Sequence, residues 1–322
     1  MNENYIFDHG PQPPDPVQFP EPPQRKDGGW RSGGWMGTLT LICSVLALIL
    51  AGTALYLTLR EAPEPEQPPA PPEPVTFQYR DRTLEALPDV PVSTYDQSEF
   101  YFNEAGRAIY AQDGRQARTG IDVSFYQKEI DWNAVAADGV DFAMIRLGYR
   151  GYSKGVLQMD QWFEHNIQGA LDAGLEVGVY FFSQALTPEE AEEEAQFVLD
   201  AIQGYTLAYP VAFDWEFIDA SKGARTNDMT GNMLTQCARA FCEKISAAGY
   251  TPAVYFNQDL AYLTYDLSQL TDYVFWLAEY GGAPDFYYDF ALWQYTHTGS
   301  VAGIEGSVDL NLDLRAVTET EL

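Results

Sequence analysis

From residue 118 onward, short apolar runs alternate with helical patterns. The runs at 119–124, 141–148, 176–183, 209–217, 251–257, 273–280, 290–296 and 307–313 are rich in β-branched and aromatic residues and read as eight strands. Several helical stretches between them stop at glycine, namely Gly139, Gly174, Gly204 and Gly249, as C-capped helices do. Thr187-Pro188-Glu189-Glu190 predicts a helix start, with Thr as N-cap, Pro in the first turn and Glu at the capping-box position. Helices are clear after strands one to four and weak after five to seven. The pattern predicts an α/β fold, a parallel-rich TIM-like (β/α) barrel modified by loss of its later helices. A doubly wound open sheet is the alternative.

The first third of the chain follows other rules. Residues 1–34 are rich in Pro, Gly and polar groups and predict a disordered tail. Residues 35–59 predict a single transmembrane helix: from Met36 on they carry no charge, and as a helix they span roughly 36 Å. Arg25, Lys26 and Arg31 precede this segment and only Arg60 closely follows it, which predicts a cytoplasmic N-terminus and an extracytoplasmic bulk. Residues 60–75 form a Pro-rich acidic linker, a semi-rigid spacer of about 45 Å if extended as polyproline II. In residues 76–117, Phe100-Tyr101-Phe102, a turn at 103–106 and Ala108-Ile109-Tyr110 suggest a small hairpin or stalk beside the main domain, 118–322.

Charge narrows the function classes. The 322 residues hold 47 acids against 18 Lys and Arg, a net charge of −29. Such a surface repels phosphate backbones, so no nucleic-acid partner is expected. The three histidines (His9, His165, His297) are scattered and no Cys/His cluster has zinc-ligand spacing, so neither metal nor other cofactor is expected. Cys237 and Cys242, five apart on a predicted helix, diverge and predict no disulfide.

The strongest chemical signal is Tyr209-Pro210-Val211-Ala212-Phe213-Asp214-Trp215-Glu216, a buried strand ending in two acids. Alternation puts Ala212, Asp214 and Glu216 on one face and Val211, Phe213 and Trp215 on the other. Acids at the end of an apolar strand are costly without partners or a task, and paired carboxylates are what glycosidic cleavage needs. In α/β barrels active sites gather at strand C-termini. There the predicted strands offer Asp122, then Tyr180 and Ser183, Asp214 and Glu216, Tyr255 and Asn257, Trp276 and Glu279, Trp293, Gln294 and Tyr295, and finally Asp309 and Asn311. An isolated Asp-x-Glu arises readily in so acidic a chain, and most aromatics fill cores. The joint occurrence at several strand ends carries the reading.

Gly120-Ile121-Asp122-Val123-Ser124 with Gln127 and Ile130-Asp131-Trp132, then Gly178–Ser183, Phe213-Asp214-Trp215-Glu216, Trp293-Gln294-Tyr295, Gly303-Ile304 and Val308-Asp309-Leu310-Asn311 resemble, in order and spacing, the family 25 glycoside hydrolases, the Chalaropsis-type lysozymes. The resemblance spans about 118–315 and departs from the family at Phe181 and at Phe125-Tyr126. It implies a muramidase that cleaves the β-1,4 bond between N-acetylmuramic acid and N-acetylglucosamine in peptidoglycan, and the predicted helix at 35–59 would anchor it in the membrane. It also implies roles. Glu216 is the general acid. Asp214 stabilises developing positive charge or orients an acetamido nucleophile. Asp122 and Asp309 hold the charge and hydrogen-bond pattern. Tyr180, Tyr255, Trp276, Gln294 and Asn311 are candidate sugar contacts.

Three rival readings have footholds. Gly151-Tyr152-Ser153-Lys154-Gly155 matches the G-x-S-x-G of serine esterases, with Asp214 and His297 in triad order. A non-catalytic wall-binding module could keep the fold, though intact Asp122, Asp214, Glu216 and Asp309 speak against it. Glu189, Glu190, Glu192, Glu193 and Glu194 on the helix at 187–204 could form an acidic docking face, with an ordinary solvated surface the simpler reading.

Overall fold

The structure is a computed structural model that describes residues 36–60 and 73–318. The predicted tail at 1–34 and most of the linker at 60–75 lie outside the described residues. The chain forms two compact units, Met1–Pro72 and Glu73–Leu322. What is described of the first is one helix, Met36–Arg60, whose stretch Thr40–Thr58 has a mean hydropathy of 2.2. It is long and apolar enough to cross a membrane.

The second unit is built on eight strands: β1 (Arg118–Val123), β2 (Phe142–Arg150), β3 (Glu176–Ser183), β4 (Val211–Trp215), β5 (Pro252–Asn257), β6 (Val274–Ala278), β7 (Leu292–Gly299) and β8 (Val308–Asp313). Neighbours run in chain order from β1 to β8, and β8 pairs back onto β1, so the sheet closes into a barrel. The pairs from β1–β2 through β6–β7 are parallel. The last strand breaks the parallel pattern. β8 runs antiparallel to both β7 and β1. Only residues 300–307 connect it to β7, too few for a parallel crossover, which takes a dozen or more.

Helices α1 (Trp132–Ala137), α2 (Phe163–Asp172), α3 (Pro188–Ala201) and α4 (Gly231–Ala247) follow the first four strands. A short α5 (Gln258–Leu263) follows β5, and none follows β6 or β7 before the next strand. The four glycines read as helix stops all adopt positive φ, from 83° to 91°, where a Cβ would be strained. Thr187 caps α3 by accepting the Glu190 N–H at 3.3 Å.

Strand alternation divides the core in two. Outward residues such as Ile121, Ile145, Val179, Phe213, Phe256 and Leu277 pack under the helices. Inward residues Phe142, Met144, Tyr209, Ala212, Ala253 and Leu292 fill the lower barrel. Gly178 makes room there: a Cβ on it would lie 2.6 Å from Met144 Sδ. Tyr209 stacks on Phe142 at 4.2 Å, and its hydroxyl donates to Asp313 at 2.7 Å. Two hairpins precede the barrel, Thr76–Tyr79 with Arg82–Glu85, and Phe100–Phe102 with Ala108–Gln112. Phe100 and Tyr110 of the second join the outer core.

The acidic run on α3 is neither a free docking face nor wholly solvated. Glu190 and Glu194 share the helix side of the buried Ala191, Ala195 and Val198 and turn inward. Glu194 is fully buried, and its Oε1 takes the Arg150 Nε–H at 2.7 Å. Arg150 also donates to the carbonyls of Gly155 (2.9 Å) and Glu190 (2.7 Å). Glu190 pairs with Arg225 at 2.6 Å.

Candidate active site

The polar residues lie at one end of the barrel interior, above the apolar plug. The strand registers build this layer. Asp122 sits opposite Asp309, Asp214 is flanked by Phe182 and Tyr255, Tyr255 by Trp276, and Gln294 by Asn311. Because β8 is antiparallel, Asp309 is near the start of its strand, and the reversal brings that start to the rim formed by the other strands' ends. β4 stops at Trp215, so Glu216 stands one residue beyond the strand rather than within it.

A pocket of about 550 Å³ opens here. Asp122, Asp214, Glu216, Asp309, Tyr180, Tyr255, Trp276 and Gln294 all line it. Asn311 does not. It is fully buried, accepting the Trp276 Nε1–H at 2.8 Å and donating to Asp122 Oδ2 at 2.8 Å. Gln294 donates to the same oxygen at 2.8 Å and accepts from the hydroxyls of Tyr255 (2.9 Å) and Tyr280 (2.6 Å). Two amides, each held from behind by an aromatic donor, thus fix the Asp122 carboxylate. Trp293 and Tyr295, one residue either side of Gln294, face outward and are buried beside Phe102.

Four acids with few cations shift one another. Burial, then the Asp309 charge, pushes Asp122 well above the usual carboxylate range, against the pull of Asn311 and Gln294. Asp309 rises to about 6, chiefly through burial. Asp214 also rises strongly, through burial and then repulsion from Glu216 and Asp122, with Arg146 opposing. Glu216 keeps water contact at the pocket mouth, yet its carboxylate is ringed by protein. Desolvation, then Asp122, raises it. Asp214 Oδ1 is buried and has no hydrogen-bond partner within the protein.

Other pocket residues carry no motif signal. Arg146 is one: its guanidinium lies 5.0 Å from the Phe125 ring and 5.6 Å from those of Tyr126 and Tyr149. Buried Asp160 holds it, accepting from Arg146 Nε at 2.8 Å and from the Phe125 N–H at 3.0 Å. Lys222, Tyr152 and Tyr280 complete the mouth. An Arg inside a strand whose neighbours are apolar was the available sign for the first; the tyrosines had none. Ser153 sits in an exposed turn between β2 and the antiparallel strand Leu157–Met159, not at a strand-to-helix elbow, so the geometry of a serine hydrolase is missing. Among the described residues, no group of His, Cys, Asp and Glu is arranged to hold a metal ion.

Residues 121–304 match the glycosyl hydrolases family 25. The chain belongs to this family. The autolytic lysozyme of Clostridium acetobutylicum is 29% identical over 193 residues, which cover 60% of this chain and 54% of that protein. The chain therefore spans about half of that relative's length. The modular autolysin LytC of Streptococcus pneumoniae, solved alone and with a synthetic peptidoglycan ligand, superposes with a TM-score of 0.53 at 25% identity when solved alone, over 69% of this chain and 57% of that one. A family 25 glycosyl hydrolase of Bacillus anthracis shares the fold, with a TM-score of 0.53 at 23% identity over 66% and 94% of the two chains.

Proposed function

We propose that this protein is a membrane-anchored peptidoglycan hydrolase that cleaves the β-1,4 bond between N-acetylmuramic acid and N-acetylglucosamine. The carrying observation is the convergence of Glu216, Asp214, Asp122 and Asp309 in one pocket, each with its proton affinity raised. Family membership and the lysozyme and autolysin relatives support the same substrate class.

In this reading, Glu216 at the mouth holds a proton at mildly acid pH and gives it to the leaving glycosidic oxygen. Asp214 lies one strand repeat deeper. Its unpartnered Oδ1 suits the N–H of a substrate acetamido group, which it would orient as internal nucleophile, or it faces the oxocarbenium charge directly. Desolvation, reinforced by Asp122, which Gln294 and Asn311 fix, keeps Glu216 protonated, and Asp309 lies beside Asp122. Tyr180, Tyr255 and Trp276 form the wall against which the sugar rests, with Gln294 touching it from the pocket side. Asn311 acts behind the wall as a positioning residue. The helix Met36–Arg60 anchors the chain, with the N-terminus cytoplasmic and the barrel outside.

The test is digestion of purified peptidoglycan, with new reducing ends identified by mass. Muramic-acid ends are expected. Glucosamine ends would overturn the bond assignment, and no new ends would overturn hydrolysis.

A further inference from the structure

The hairpin Thr76–Tyr79/Arg82–Glu85 precedes the family segment at 121–304, yet it is built into the barrel's rim. Phe77 stacks on Tyr287 at 4.3 Å, and Tyr79 meets Tyr262 edge-on at 4.7 Å. At the hairpin turn, Tyr79 donates to Asp259 at 3.0 Å and Arg80 pairs with the same carboxylate at 2.8 Å. A depression of about 300 Å³ lies against this turn, lined by Tyr79, Arg80, Asn257, Gln258, Glu279 and Tyr280. Tyr280 also lines the catalytic pocket, and its hydroxyl is tied to Gln294. The two hollows thus share one exposed tyrosine wall.

Glu279 closes the depression at the end of β6. Its Oε1 accepts the Asp285 N–H at 2.8 Å, the Phe286 N–H also supports the carboxylate, and Oε2 is closed off from solvent. We propose that this depression is a distal binding site, continuous with the catalytic pocket, that takes a further sugar of the same glycan strand through its hydroxyl and acetamido groups. The proposal rests on the hydrolase reading for the strand's identity. The chemistry of the hollow favours an uncharged polar ligand. Asp259 neutralises Arg80, and burial lifts Glu279 to about 7, so it carries little charge in mild acid. The Tyr280 ring offers a face for a pyranose.

Arg80→Asn tests this without straining the turn, because Arg80 has φ +53°, which asparagine tolerates. It is combined with Glu279→Gln, and melting temperature checks folding. Tyr79→Phe, which removes one hydroxyl and keeps the ring, is a second probe. The ratio of kcat/KM on long peptide-free strands to that on tetrasaccharides should fall roughly three- to ten-fold, as loss of one or two hydrogen bonds predicts. In a Glu216→Gln background, the same changes should weaken binding of long strands by a similar factor. An equal effect on both lengths, or none on the long strands, overturns the distal site. A parent protein that cuts neither substrate but binds long strands in an Arg80-dependent manner would instead overturn the hydrolase reading and leave the distal site standing.

Discussion

The two amides behind Asp122 show how much of this site is held rather than merely present. Gln294 and Asn311 both donate to one oxygen, which favours the ionised form, and burial still wins. Asp122 in turn raises Glu216. Replacing Glu216 with Gln should lower kcat by about 10²–10⁴, the usual worth of a positioned acid, while glycan binding persists. In the parent protein, kcat/KM should fall as pH rises through the elevated Glu216 pKa, because the acid must be protonated. Asp122→Asn removes a charge that raises that pKa, so the basic limb of the profile should move to lower pH. An unmoved limb would separate Asp122 from the titration.

Asp309 links the same electrostatics to stability. Its folded value of about 6 exceeds the ordinary aspartate value of 3.8. Between those values the unfolded chain releases its proton first, so stability falls as pH rises from about 4 to about 6 and stays lower above. Asp309→Asn removes that loss. It should gain on the order of 1–3 kcal/mol at pH 7.5, with little gain at pH 4. Thermal unfolding at the two pH values checks this, and a gain of equal size at both would contradict the burial account.

At the scale of elements, the eight strands were legible because each alternates or runs apolar, and glycine marked several of the stops. Three things were not. The direction of β8 depends on the length of a connection, and eight residues between Gly299 and Val308 held that information more clearly than any residue type. Glu190 and Glu194 read as surface charge, although their spacing of four from each other, beside Ala191, Ala195 and Val198, put them on the inward stripe. Arg146, Tyr149 and Tyr280 reach the site through tertiary packing, which no local pattern encodes. The Arg150–Glu194 pair is the clearest consequence for stability. Arg150 clips α3 to the turn after β2, and Gln184 extends the tie by donating to the Glu216 carbonyl at 3.3 Å while accepting from Thr226 at 2.5 Å. Arg150→Ala leaves Glu194 buried and unpaired, which should cost about 3–5 kcal/mol at pH 8. Burial already raises Glu194 to about 7, so the cost should shrink at pH 5, where the carboxyl becomes neutral. Urea midpoints at both pH values measure the difference, and a cost independent of pH would point to lost packing instead.

For the whole molecule, the acidic barrel and the apolar helix pose one question of placement. A helix of this hydropathy, with its described side chains exposed in its own unit, leaves a large apolar surface in contact with water unless a bilayer covers it. Transfer of such a segment into lipid is favourable by many kcal/mol, since each buried CH₂ contributes about 0.8 kcal/mol. The full chain should therefore sediment with membranes and resist alkaline carbonate, and removal of residues 1–60 should release it. The orientation proposed above rests on the basic residues before the helix, not on the chain's net negative charge, because acids contribute little to the positive-inside bias. In cells stripped of wall, added protease should digest the barrel while an N-terminal tag stays protected. Protection of the barrel with loss of the tag would reverse the orientation and would place the four carboxylates on the side of the membrane where no wall polymer reaches them.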